Sequence, residues 1–180
     1  MKKIFSLALL GLLLFSCGSV KTPSGEVDVY IPCQGKEFQT DKNYFRAFGS
    51  SMSNNPSGAM QDAEAIAASQ LALTIERKIK VVSERYSSNI VEGMKGEFTS
   101  ISEQMGRQVA QLTIGKTKIF CSKTTRDKAT GMYKYYTTIE LSVDDVVRDF
   151  TSLIDEKTKS TIRINRDEFR TIFDQEMENK

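Results

Sequence analysis

Apolar positions along this chain differ in spacing from one region to the next, and the spacing predicts the elements. Residues 4–15 are almost uniformly apolar. Residues 44–52 hold Tyr44, Phe45, Ala47 and Phe48 and run to Gly49-Ser50-Ser51, which reads as a strand. Ala63, Ile66, Ala67, Leu71, Ile75, Ile79 and Val82 then recur every three or four residues, the period of one helix face. Asn55 can cap that helix, and Pro56 suits its first position, where a missing N–H costs nothing. Alanines at 59, 63, 65, 67, 68 and 72 would let the helix lie close to a sheet. The β-branched group Ile79, Val81 and Val82 fits either a helix end or a strand; helix is the expectation for residues 79–88.

Gly93 and Gly96 predict a break, after which Phe98, Ile101, Met105, Val109 and Leu112 restore helical spacing to about Thr113. Residues 116–124 and 132–142 read as the two strands of a hairpin starting at Gly115, with the turn in 127–131. Tyr133, Tyr135, Thr137, Ile139 and Leu141 would share one face of the second strand. Residues 27–33 alternate enough to suggest a short edge strand limited by Pro32. Val143-Asp144-Asp145 should cap a helix carrying Val146, Val147, Phe150, Leu153 and Ile154. A last amphipathic helix, about 166–177, carries Phe169, Ile172 and Phe173, and its charged face reads as solvated surface. The expected fold is α+β: a small antiparallel sheet packed on a long Ala-rich helix, with further helices toward the C-terminus.

The first apolar run changes this picture, because it follows Lys2 and Lys3 and is too short for the roughly 20 residues of a bilayer span. It ends in Leu14-Phe15-Ser16-Cys17, which resembles a bacterial lipobox: an aliphatic residue three places before the cysteine and a small one directly before it. Phe15 is bulkier than the commonest second residue. The resemblance implies cleavage before Cys17 and lipidation of that cysteine. Residues 1–16 would then be a signal peptide, 17–26 a lipidated cysteine with a flexible tether, and 27–180 one globular domain. Two or three acyl chains, at about 0.8 kcal/mol per buried CH₂, would hold the domain at a membrane without its help. Neither an aspartate nor an acidic cluster follows Cys17, so the expected location is the periplasmic face of the outer membrane.

Charge and cysteine count narrow the chemistry. The formal net charge of +2 rests on Lys2 and Lys3, so the mature chain is neutral and has no basic excess for nucleic acid. With Cys17 lipidated, Cys33 and Cys121 remain as an even pair, either bridged or present as two buried thiols. No Cys-x-x-Cys pair points to thiol redox work. The chain has no histidine, which removes the usual Ser-His and Cys-His nucleophiles and the commonest transition-metal ligand. Asp144 and Asp145 read as helix-start residues in place of a metal or catalytic pair. No series of calcium-loop ligands occurs. Thr113-Ile114-Gly115-Lys116-Thr117 lacks the upstream glycine of a phosphate loop and leads into a strand. No catalytic residue, metal ligand or cofactor is expected.

The order of elements resembles the Lpp-twenty family of small Gram-negative lipoproteins, to which a module that opens some flagellar assembly proteins is related. The residues that carry the resemblance are Tyr44-Phe45-Arg46-Ala47-Phe48-Gly49, Asp62-Ala63-Glu64-Ala65-Ile66-Ala67, Leu71-Ala72-Leu73 with Ile75, and Tyr135-Tyr136-Thr137-Thr138-Ile139-Glu140-Leu141. They span about residues 43–150. The family often has an Ile-x-Val-x-Val run after its first helix, which Ile79-Lys80-Val81-Val82 only partly follows. The resemblance implies an envelope-associated α+β domain and supplies no active residues. The function expected is a non-enzymatic interaction or structural role, with the membrane and another envelope protein as partners. The alternative is a module binding a small molecule or cell-wall glycan, which would need a concave site lined by aromatics such as Phe48, Tyr133 and Tyr135.

Overall fold

The computed structural model describes Gly25, Val27, residues 29–158, Ile162 and residues 164–178, with the compact unit running Ile31–Lys180. The expected signal peptide, Cys17 and most of the expected tether lie outside the described residues. The described residues form an α+β architecture, with one antiparallel three-stranded sheet and four α-helices.

Strand β1 (Tyr44–Ser53) leads to helix α1 (Pro56–Ser87), which starts as the sequence predicts. Asn55 Oδ1 accepts a hydrogen bond from the Ser57 amide at 2.9 Å, with Pro56 beginning the helix. The buried positions Ala59, Ala63, Ala67, Leu71, Ile75 and Ile79 follow a strict four-residue spacing. Ile66, expected in the core, lies about 100° around the helix from Ala67 and is 41% exposed. The ambiguous 79–88 segment is helical to Ser87 because Ile79 and Val82 continue the buried stripe while Val81 faces out.

Helix α2 (Lys95–Leu112) includes Gly96, so the chain breaks before it, at residues 88–94. Its end tightens into a 3-10 turn, Thr113–Lys116, with Thr113 Oγ1 bonded to the Val109 carbonyl at 2.7 Å. That turn uses the residues expected to open the hairpin. Strand β2 therefore spans Lys118–Arg126, two residues later than predicted, and pairs with β3 (Tyr133–Ser142). In the connecting turn, Asp127 accepts bonds from the Ala129 and Thr130 amides at 2.8 Å each, and Gly131 takes a positive φ of 74°.

The sheet order is β1-β3-β2, with β3 central. Phe45, Ala47 and Gly49 share the face that meets α1 with Tyr135, Thr137, Ile139 and Leu141. Helix α3 (Val143–Thr158) follows β3 directly, and α4 (Arg166–Glu178) closes the chain's described part. The cap of α3 comes from Ser142, whose Oγ accepts from the Asp144 amide at 3.2 Å, and not from the aspartates themselves. Asp144 pairs with Arg170 of α4 and Asp145 with Arg148.

Helices α2 and α4 pack on α1, and α3 packs on both. An aromatic cluster joins them. Phe150 stacks on Phe169 at 5.1 Å between centroids, Tyr86 sits 5.6 Å from Phe98 and 5.5 Å from Phe169, and Phe173 meets Phe45 at 6.1 Å. The terminal helix is thus part of the core.

Candidate functional site

The opposite face of the sheet carries a different structure. The expected edge strand at 27–33 is absent: Val27 and residues 29–31 form no ladder, and Pro32-Cys33 make a turn with Cys33 at φ 58°. Proline lacks an N–H for a ladder, and a left-handed residue ends an extended run. Beyond the turn, the chain crosses the sheet. Cys33 is joined to Cys121 of β2 by a disulfide closing a separation of 88 residues. Thr138, fully buried in β3, donates from Oγ1 to the Cys33 carbonyl at 2.6 Å. Phe48, Thr138 and Cys121 form one row across the three strands, and Cys33 lies against that row.

Further along, Thr40 closes the outer edge of β1. Its hydroxyl accepts from the Arg46 amide at 2.9 Å and donates to the Arg46 carbonyl at 3.2 Å, so both backbone groups are satisfied by one side chain. Arg46 itself is 9% exposed and engaged on all sides. Its guanidinium bonds Asp41 at 2.6 Å, Glu140 at 3.0 Å and the Gln39 carbonyl at 3.0 Å, and it lies 4.4 Å over the Phe120 ring. Burial pushes the Arg46 pKa down, but bonds to the two carboxylates outweigh it and leave the group raised. Burial likewise pushes Asp41 up, and the Asn43 amide, Arg46 and the Tyr44 amide together hold it below its usual value.

Between this crossing segment, β1 and α1 lies an open cleft of about 480 Å³. Phe38, Phe48, Gln39, Gln70 and Thr74 contribute to its walls, with Lys36 at the segment's 3-10 turn, Lys36–Phe38. Amides, a hydroxyl and two phenyl rings can hold an extended polar chain; Arg46 is neutralised by its carboxylates and is not offered to an anion. No nucleophile stands beside a base in this lining. Among the described residues, no cluster of three or more potential metal ligands occurs, and no helix is long and apolar enough to cross a membrane.

Of the aromatics singled out from the sequence, only Phe48 lines the cleft. Tyr135 is 7% exposed and packs under α1 against Ala59 and Ala63. Tyr133 shares that face and stacks with Arg126 at 5.2 Å. Phe48 pairs with Thr138 and so lies on the other face, where it cannot join them. The sequence pattern assigns no site role to residues 34–40 or to Arg46. Their signal was available only as the pairing of Cys33 with Cys121, which pulls this segment across the sheet. Comparison of the chain with protein families, with curated proteins and with solved structures finds no match.

Proposed function

We propose that this protein is a lipid-anchored lipoprotein of the bacterial envelope, whose domain works without catalysis by contacting another envelope protein from the periplasmic face of the outer membrane. The observation that carries the reading is Leu14-Phe15-Ser16-Cys17 after Lys2, Lys3 and an apolar run. The resemblance to the Lpp-twenty family agrees with it, as does a domain whose sequence lacks histidine. A disulfide between Cys33 and Cys121 also suits an oxidising compartment. The glycan-binding alternative is weakened, because Tyr135 is buried under α1 and the three rings it needs do not converge.

The test is crosslinking in living cells followed by purification and identification of what is retained. A reproducible envelope protein is expected. Retention of glycan or a small metabolite without any protein would overturn the interaction reading. The anchor is tested separately by Cys17→Ser, which should release the protein or leave an uncleaved precursor. A processed variant that still fractionates with membranes would rule the anchor out.

A further inference from the structure

The two edges of the sheet are treated differently. At β1, Thr40 occupies backbone groups that another strand would need. At the other edge, β2 pairs, among the described residues, with β3 alone. A register shift at Phe120 interrupts the ladder, and beyond it Cys121–Arg126 runs regularly along β3. Ser122, Lys123, Thr124 and Arg126 are exposed. An open strand of this kind presents a row of unpaired amides and carbonyls that can template a further strand.

Charge selects what can pair there. β2 reads Lys-Ile-Phe-Cys-Ser-Lys-Thr-Thr-Arg, with three cations and no acid. Among the described residues, Lys118, Lys123 and Arg126 belong to no ion pair. Lys134 of β3 sits beside Thr125 in the register and shares with Lys118 and Lys123 the sheet face away from α1, whereas Arg126, opposite Tyr133, lies on the other face. A second copy of this chain is a poor occupant, since β2 beside β2 gathers three cations from each strand along one seam with no acid between them, and like charges close together destabilise a sheet. The same cations attract an acidic strand.

We propose that β2 is a docking edge for an acidic, extended segment of a partner protein, which adds as a fourth strand beside residues 121–126. Backbone pairing supplies the attachment, and carboxylates opposite Lys118 and Lys123, which share one face, supply the selection. This rests on the reading of the domain as an interaction protein and names the surface it uses; it does not depend on the lipid anchor.

The experiment uses the full chain in detergent and a fluorescent eight-residue peptide alternating glutamate with valine or threonine. Binding is read by anisotropy, and its place by backbone amide exchange. Saturable, salt-sensitive binding is expected, with exchange slowed at residues 121–126. Joint Lys118→Glu and Lys123→Glu substitution should weaken it at least tenfold and create binding to the matching lysine peptide. These side chains are exposed, and circular dichroism would verify the fold. Equal binding of a peptide N-methylated at alternate residues, protection elsewhere, or no binding would overturn the proposal. If the charge-reversed chain still captures the same envelope protein in cells, the docking edge fails while the interaction reading stands; if the wild type captures no protein, that reading fails.

Discussion

Gly49 of β1 lies directly beneath Ala63 of α1: a Cβ on Gly49 would fall 2.1 Å from the Ala63 carbonyl oxygen and 2.8 Å from the Ala67 nitrogen. Those neighbours are helix backbone and cannot rotate away. The close approach explains why the start of α1 buries alanines, Ala59, Ala63 and Ala67, while its later turns bury Leu71, Ile75 and Ile79. Gly49→Ala should therefore force the helix off the sheet. We expect a loss of about 3 kcal/mol, at the upper end for overpacking, read by urea unfolding. A change within about 0.5 kcal/mol would show that α1 does not sit this close. Gly106 is the contrast: its added Cβ would meet only the Ile79 side chain, Cγ2 at 3.1 Å and Cβ at 3.7 Å, so alanine there should cost far less.

The disulfide fixes the crossing segment. Cys33 holds a left-handed conformation, which costs a non-glycine residue about 1 kcal/mol or more, and depends on its surroundings to keep it. The bridge and the Thr138 bond are those surroundings. Closing a separation of 88 residues restricts the unfolded chain strongly. On the chain-entropy argument, Cys121→Ser should lower stability by about 4 kcal/mol. Thr138→Val, which removes one buried hydrogen bond and keeps the shape, should cost about 1–2 kcal/mol. Unfolding of both variants with and without reductant provides the check: reductant should destabilise the wild type and Thr138→Val and leave Cys121→Ser unchanged.

Asp41 gives a pH dependence with a defined sign. Its folded pKa lies below the ordinary 3.8, so its contribution is present above that value and is lost as pH falls through the depressed one. The window is thus below about pH 4. Asp41→Asn should be less stable than wild type at neutral pH, and the gap should narrow as pH falls through that window. Because the carboxylate is 43% exposed, solvent screens the pair and the gap should be small. Acid titration of both proteins by fluorescence would show it. A gap independent of pH would mean that the carboxylate charge plays no part in holding Arg46.

Local periodicity made the helices and β-strands legible where one face is buried by neighbours close in space. The α1 stripe was clear because each buried position repeats the last, and Ile66 was misplaced because a sheet buries a narrower stripe than helical spacing permits. The 27–33 segment misled for the opposite reason. Its alternation is real, but Pro32, the turn at Cys33 and a bridge to β2 decide its path, and the bridge is a long-range constraint. The same holds for the cleft. Phe48 stands out in the sequence, but its pairing with Thr138 turns it away from Tyr133 and Tyr135, and that pairing is a long-range fact. Register across strands separated by some ninety residues is not written in either strand.

The terminal helix shows how far a polar surface can conceal a core element. Arg166–Glu178 is rich in charge, yet Phe169 and Phe173 are fully buried. Phe169 stands between Phe150 and Tyr86, and the Tyr86 hydroxyl accepts from the Asn165 amide at 2.9 Å at the entrance to the helix. Burial raises the Tyr86 pKa, in keeping with a hydroxyl that remains neutral there. Lys78 of α1 donates to the Glu176 carbonyl at 2.6 Å near the other end. Removing α4 would expose Phe45, Phe150 and Tyr86 together, so a truncated chain should not fold and cannot report on partner binding. Phe169→Ala should cost about 3–5 kcal/mol, the range for emptying an aromatic site in a core. Tyr86→Phe should cost about 1 kcal/mol, because it leaves one amide without its acceptor. Thermal unfolding distinguishes the two. If Phe169→Ala melted within a few degrees of wild type, α4 would be a detachable surface helix, and its charged face would return as a partner site.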